Sequence, residues 1–239
     1  MNTIKISNGT VKMVAHRGLS GLERENTNAA FVAAGNRSYY GVETDIHRTT
    51  DGRFAVIHDD TTERVAGDNV VVENSSSAEL AQILLYDKQG GKARADLKIP
   101  LLEEYIAICK SYEKIAVLEF KSDFDAAEID AIIAILRDME YLDSTVVISF
   151  HLSALIKLRA QYPDVRAQYL ISSYPDDLPD TLLQYKLDLD IQYKAIDEEK
   201  IKALHANGIA VNCWTVDDPD IARQLMAWGV DYLTTNILE

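Results

Sequence analysis

The chain is poor in cysteine and in positive charge, and each shortage excludes something. Its two cysteines, Cys109 and Cys213, have no metal-type spacing and sit in a helix-like and a strand-like run, where they read as buried reduced thiols. Twenty-four Lys and Arg stand against thirty-eight Asp and Glu, for a net charge of −14. Such a field opposes nucleic acid and anionic membrane surfaces, whose binding needs clustered positive charge. A small anionic substrate is still allowed, because a metal ion and one or two local cations reverse the sign inside a pocket. No window is apolar enough, for long enough, to span a bilayer. Residues 1–9 lack the apolar core of a signal peptide, so a cytoplasmic location without stable membrane association is expected. Also missing are the Gly-rich dinucleotide fingerprint, the P-loop and the Gly-X-Ser-X-Gly elbow, which counts against the open-sheet cofactor folds and against nucleophilic acyl chemistry.

What is present is an ordinary globular composition, 47% hydrophobic and 26% charged, on a chain of 239 residues, enough for a full core. Strand-like runs end at His16 and Asp45 and recur at 115–120, 145–150, 166–171, 187–191, 209–215 and 232–235, with helical segments between them. Asp51-Gly52 followed by an apolar return run marks a hairpin after the second strand. With that return strand set aside, eight strands remain that can be parallel, which predicts a (β/α)8 barrel in a single domain over 1–239. The polar stretch 59–96 reads as a small insertion near the active-site face, with a helix expected over 78–85.

The charged residues cluster at strand ends. Glu43 and Asp45 stand at i and i+2 in Val42-Glu43-Thr44-Asp45-Ile46 and so point to one side of their strand. Two carboxylates held side by side repel unless a proton or a cation lies between them, and a hard divalent metal suits the pair. Glu119 supplies a third oxygen ligand from its own strand end, and Lys121, two residues on, suits a substrate oxyanion. With Asp51-Gly52 as a two-residue loop, the ladder would place His58 opposite Asp45. His16, ending the preceding strand, then completes a cluster in which two histidines form a general acid and base pair. Arg17 either buttresses Glu25 or Glu43 or meets a phosphate, and Trp214 lines the pocket or belongs to the core. Asp190 and Gln192 either hydrogen-bond a polyol or buttress the rim, and His47, His151 and His205 read as structural or exposed.

In order, His16-Arg17-Gly18, Glu25-Asn26-Thr27, Glu43-Thr44-Asp45, Thr50-Asp51-Gly52, His58-Asp59, Glu119-Phe120-Lys121, Ser149-Phe150, Trp214-Thr215-Val216 and Gly229-Val230-Asp231 resemble the glycerophosphodiester phosphodiesterase family. That family groups with the barrel phosphodiesterases that include phosphatidylinositol-type phospholipases C. The resemblance implies a (β/α)8 barrel and divalent-metal-dependent hydrolysis of a small glycerophosphodiester to glycerol 3-phosphate and an alcohol, with Mg²⁺ or Ca²⁺ as cofactor. It matches Glu43, Asp45 and Glu119 to metal ligands, His16 and His58 to the acid and base pair without ordering them, and Arg17 and Lys121 to phosphate contacts. Four positions depart from the pattern, one of them Leu238 in place of a Pro near the last strand. Arg24 replaces a Pro before Glu-Asn-Thr, Asp217 replaces the Asn that commonly follows Trp-Thr-Val, and Asn236 replaces an Asp at the last strand. Asp217 is expected to add negative charge near the alcohol. The competing expectations are a phospholipase acting on lipid or lysolipid and a metal- or phosphate-binding barrel without catalysis.

Overall fold

A computed structural model describes residues 2–239. Nine strands form it: β1 (Lys12–Ala15), β2 (Gly41–Arg48), β3 (Phe54–Val56), β4 (Ile115–Phe120), β5 (Thr145–Ser149), β6 (Arg166–Ile171), β7 (Asp188–Gln192), β8 (Val211–Trp214) and β9 (Tyr232–Thr235). All but β3 are mutually parallel, and the β1–β2 pairing closes them into an eight-stranded barrel. Helices Asn28–Gly35, Leu102–Ser111, Ala126–Asp138, Leu152–Gln161, Leu178–Tyr185, Glu198–Ala206 and Pro219–Trp228 fill the crossovers. This is the expected (β/α)8 architecture. After β9 the chain instead runs beside its own beginning, where the Ile4 and Ile6 amides donate to the Ile237 and Glu239 carbonyls at 3.0 and 2.7 Å.

Local chemistry sets the helix starts. Thr27, Asp125, Asp197 and Asp218 each accept a backbone N–H of the first turn, which satisfies donors the helix cannot reach. The outer faces of the strands and the inner faces of the helices form one continuous core, while Val14, Val117, Val146, Ile148 and Leu170 pack inside the barrel. Interleaved with them are the polar side chains Glu43, Gln168, Asp190, Asn212 and Thr234, all buried, with Glu43 beside Val117, Gln168 beside Ile148 and Asp190 beside Leu170.

The hairpin differs from expectation by one residue. Arg48 pairs with Phe54, His47 with Ala55 and Ile46 with Val56. The loop therefore holds three residues, closed by the Thr49 and Gly52 amides donating to the Arg53 and Thr49 carbonyls at 2.8 and 3.0 Å. Gly52, at φ +72°, takes the left-handed position this loop requires. The Thr49 hydroxyl, accepting from the Arg53 amide at 3.0 Å, draws Thr49 rather than Thr50 into the closing pair. As a result Ile57, not His58, faces Asp45, with its amide donating to the Asp45 carbonyl at 3.1 Å.

The insertion buries a core of its own, with Val65, Val72, Leu80, Leu85 and Leu97 packed beneath Ala55 and Ile57. Its expected helix over 78–85 is a single turn, Ser77–Leu80. Beyond it Leu85 turns inward, its amide bonded to the Leu97 carbonyl at 2.9 Å. Arg24 holds the far end of the segment, donating to the carbonyls of Tyr86 and, at 2.9 Å, Asp87.

Candidate active site

The carboxyl ends of the barrel strands surround a cleft lined by His16, Arg17, Glu43, His58, Glu119 and Trp214, floored by Ile148 and Leu170. A larger cleft, around Arg137, Tyr162 and Arg166, opens at the amino ends of β5 and β6. That is the stabilising face of such a barrel, whereas chemistry sits at the carboxyl ends.

Pairing register brings the three acids together. β2 and β4 run parallel with Asp45 beside Glu119, and Glu43 lies two residues back on the same face of β2. One oxygen from each of Glu43, Asp45 and Glu119 lies within 4.8 Å of the other two, and all three residues are buried. At about 4 Å two unit charges repel by about 4 kcal/mol even at an effective dielectric near 20, so three adjacent carboxylates cannot all ionise unaided. The protein alone resolves this by unequal titration. Burial together with Asp45 pushes Glu43 well above the usual carboxylate range and Glu119 up to about 8. Burial raises Asp45 too, but Lys121 and Arg17 outweigh it and hold Asp45 below that range. Lys121 Nζ lies 2.8 Å from Glu119 and 3.5 Å from Asp45. Asp45 Oδ1 has no hydrogen-bond partner, while Oδ2 accepts from Asn26 at 2.7 Å. Three buried hard oxygen donors, one of them unpartnered, fit a divalent cation.

Arg17 sits in the left-handed region at φ +53°, its amide donating to Glu43 at 2.7 Å. The turn depends on Gly18, where a Cβ would stand 2.7 Å from that of Ala30. Arg17 Nη1 donates to Glu25 at 2.9 Å, and its buried Nε makes no hydrogen bond but lies 3.6 Å from Asp45 Oδ2. Arg17 is thus braced by both Glu25 and Glu43.

The two histidines differ in their Nδ1 partners. His58 Nδ1 meets Asp59 at 2.6 Å, and Arg64 from the insertion binds both Asp59, at 2.6 Å, and Glu25, at 2.8 Å. His16 Nδ1 meets the Asn236 carboxamide oxygen at 2.8 Å. Burial and Arg17 lower His16 to about 4, and burial also lowers His58, against the pull of Asp45. Trp214 stands edge-on to Phe150 at 5.7 Å, with its indole N–H unpartnered. Asp190, buried in the same cleft, has an unpartnered Oδ1, and burial pushes it up to about 8.

The remaining histidines serve the frame. His47 is buried with Nε2 on the His58 carbonyl at 3.2 Å, His151 meets the Lys121 carbonyl at 3.0 Å, and His205 meets Asp231 at 2.8 Å. Asp217 accepts from Asn236 and Thr235, which sets its charge one hydrogen bond behind His16. Arg64 escaped sequence reasoning altogether, since a lone Arg in a polar stretch carries no periodic signal.

The model of the glycerophosphoryl diester phosphodiesterase family matches residues 16–239. The chain belongs to this family. A glycerophosphodiester phosphodiesterase of Bacillus altitudinis is 27% identical over 236 residues, covering 94% of each protein. A phosphodiesterase of Oleispira antarctica, solved in complex with its product sn-glycerol-3-phosphate, superposes with a TM-score of 0.88 at 27% identity, covering 94% of this chain and 92% of that one. The glycerophosphodiester phosphodiesterase of Thermotoga maritima gives a TM-score of 0.78 at 25% identity, covering 95% and 94%. Among the described residues no helix is long and apolar enough to cross a membrane.

Proposed function

We propose that the cleft hydrolyses small glycerophosphodiesters to glycerol 3-phosphate and an alcohol by acid and base catalysis between His16 and His58. The observation that carries this reading is the convergence of both histidines, Arg17 and the acid cluster on one cleft at the carboxyl end of the barrel. Glu43, Asp45 and Glu119 would hold a hard divalent cation, Mg²⁺ or Ca²⁺. When bound, it supplies charge neutralisation for the phosphate and for the charge that develops on it.

The chain's own residues supply the rest. Lys121 and Arg17 would meet the phosphate oxygens, a reading supported by their place beside the acid cluster and by the Glu25 brace on Arg17. His16, with a neutral amide on Nδ1 and a pKa pushed down to about 4, stays uncharged near neutrality and suits the base. It takes the proton of the attacking oxygen, water or the adjacent glycerol hydroxyl, as that oxygen bonds to phosphorus; where the hydroxyl attacks, water then opens the cyclic phosphodiester to glycerol 3-phosphate with the two histidines exchanging roles. His58, with the Asp59 carboxylate on Nδ1, is the ring whose imidazolium is better supported, and it gives a proton to the departing alkoxide as the second P–O bond breaks. The Trp214 N–H and the Asp190 carboxyl offer a donor and an acceptor to the glycerol hydroxyls.

Release of glycerol 3-phosphate from glycerophosphocholine, glycerophosphoethanolamine and glycerophosphoinositol, with chelator and then with each metal restored, tests the reading. Metal-dependent release is expected. Turnover that is indifferent to chelation, or no release under any condition, overturns it.

A further inference from the structure

We propose that Asn236 and Asp217 form a positioning pair that fixes the tautomer of His16, with the carboxylate one hydrogen bond away from the ring rather than on it. Asn236 Oδ1 lies 2.8 Å from His16 Nδ1 and accepts from the Ser20 hydroxyl at 2.6 Å. On the other side its Nδ2 donates to Asp217 Oδ2 at 2.6 Å. Asp217 Oδ1 accepts from the Asn236 amide at 2.7 Å and from the Thr235 hydroxyl at 3.0 Å.

Free carboxamides turn over readily, presenting either oxygen or NH₂ to a neighbour. Here a carboxylate, which only accepts, stands against one end. Flipping Asn236 would set oxygen against oxygen at 2.6 Å and turn two N–H donors toward Ser20 and His16. Oδ1 therefore faces the ring, and because an amide oxygen only accepts, His16 carries its proton on Nδ1. That leaves Nε2 as the nitrogen able to take a proton, as the base assignment requires. The base assignment itself rests on the phosphodiesterase reading, but the tautomer does not.

The same atoms accommodate the reciprocal exchange. With Asp217→Asn and Asn236→Asp together, the amide oxygen at 217 accepts from Thr235 and the 236 backbone, its NH₂ donates to the carboxylate at 236, and that carboxylate accepts from His16 and Ser20. Each donor keeps an acceptor.

The test is a double-mutant cycle read in two ways. The ¹⁵N shifts of the His16 ring, assigned against His16→Gln, report the tautomer without substrate. The wild type and the double variant should show Nδ1–H, and Asp217→Asn should shift toward Nε2–H, because its oxygen stays on Thr235 and the 236 backbone and its NH₂ then calls for the flipped Asn236. In turnover, Asp217→Asn should lose about 10- to 100-fold in kcat with KM nearly unchanged, the usual cost of removing an orienting partner. Asn236→Asp, which opposes two carboxylates, should lose at least as much. The double variant should recover to within about threefold of wild type, a coupling that independent sites do not show. A merely structural pair would lower melting temperature without moving the tautomer or splitting kcat from KM. Wild-type shifts and kcat in Asp217→Asn, or a double variant no better than Asn236→Asp, overturn the proposal. Should no glycerophosphodiester be hydrolysed at all, the shifts alone still decide it.

Discussion

His16 and His58 face one cleft, but the charge of the group behind each ring separates them. A carboxylate behind His58 supports its imidazolium, whereas a carboxamide behind His16 offers geometry without charge. His16→Ala and His58→Ala should each lower kcat by about 10²- to 10⁴-fold, with melting temperatures close to wild type. Full turnover in either variant removes that residue from the mechanism, and unfolding assigns it to the frame instead. Asp190 gives a second residue-scale expectation. Its pKa is pushed up to about 8 by burial alone, so the folded state binds a proton that the unfolded chain has already released at lower pH. The stabilisation is complete below the ordinary value of 3.8 and is lost as pH rises through about 8. Asp190→Asn removes that dependence, so its melting temperature should gain on wild type between about pH 5 and pH 8. A constant difference across that range means the carboxyl is ionised in the fold.

At the scale of elements, β2 and β4 build the acid cluster and the insertion braces the histidine beside it. Arg64 spans Asp59 and Glu25, so one side chain stands behind both His58 and Arg17. Arg64 is itself half exposed, and exposed ion pairs contribute about 1 kcal/mol or less to stability. Its worth lies in orientation. Arg64→Ala should cost about 10- to 100-fold in kcat while shifting the melting temperature little. A variant with wild-type kcat shows that Asp59 and Glu25 hold their partners unaided. The hairpin illustrates what an element's sequence leaves open. Asp51-Gly52 announces a turn, but whether the loop has two residues or three depends on the Thr49 hydroxyl capturing the Arg53 amide.

For the whole molecule, the charge balance and the cleft point to a soluble substrate. The net charge of −14 opposes anionic bilayers, and the insertion packs most of its apolar side chains against Ala55 and Ile57, leaving Val71 as its exposed large one. Phe150, exposed beside Trp214, is the main apolar group at the mouth. The kcat/KM for glycerophosphocholine, glycerophosphoethanolamine and glycerophosphoinositol should greatly exceed that for a lysophospholipid. On the proposed reading, in which the indole meets the glycerol they share, Trp214→Ala should weaken all three soluble substrates by a similar factor. A preference for the lipid, or a switch among head groups in Trp214→Ala, contradicts this.

The sequence by itself determined whatever depends on covalent periodicity. Alternation along β2 sets Glu43 and Asp45 on one face, the spacing of apolar runs counts eight parallel strands, and Asp-Gly marks a hairpin. Each follows from backbone geometry repeating every two or every 3.6 residues. Closure of the barrel decided the rest. Only the register of β2 against β4 sets Glu119 beside Asp45, and only the β1–β9 pairing brings Asn236 to His16 across 220 residues of chain. Arg64 reaches Glu25 because the insertion folds back against the loop after β1, and Asp217 meets Asn236 because β8 and β9 end side by side. Partners of this kind share no local pattern. They are chosen by which strands become neighbours and by how far each has slid along the other, and those choices are settled by the packing of the whole core.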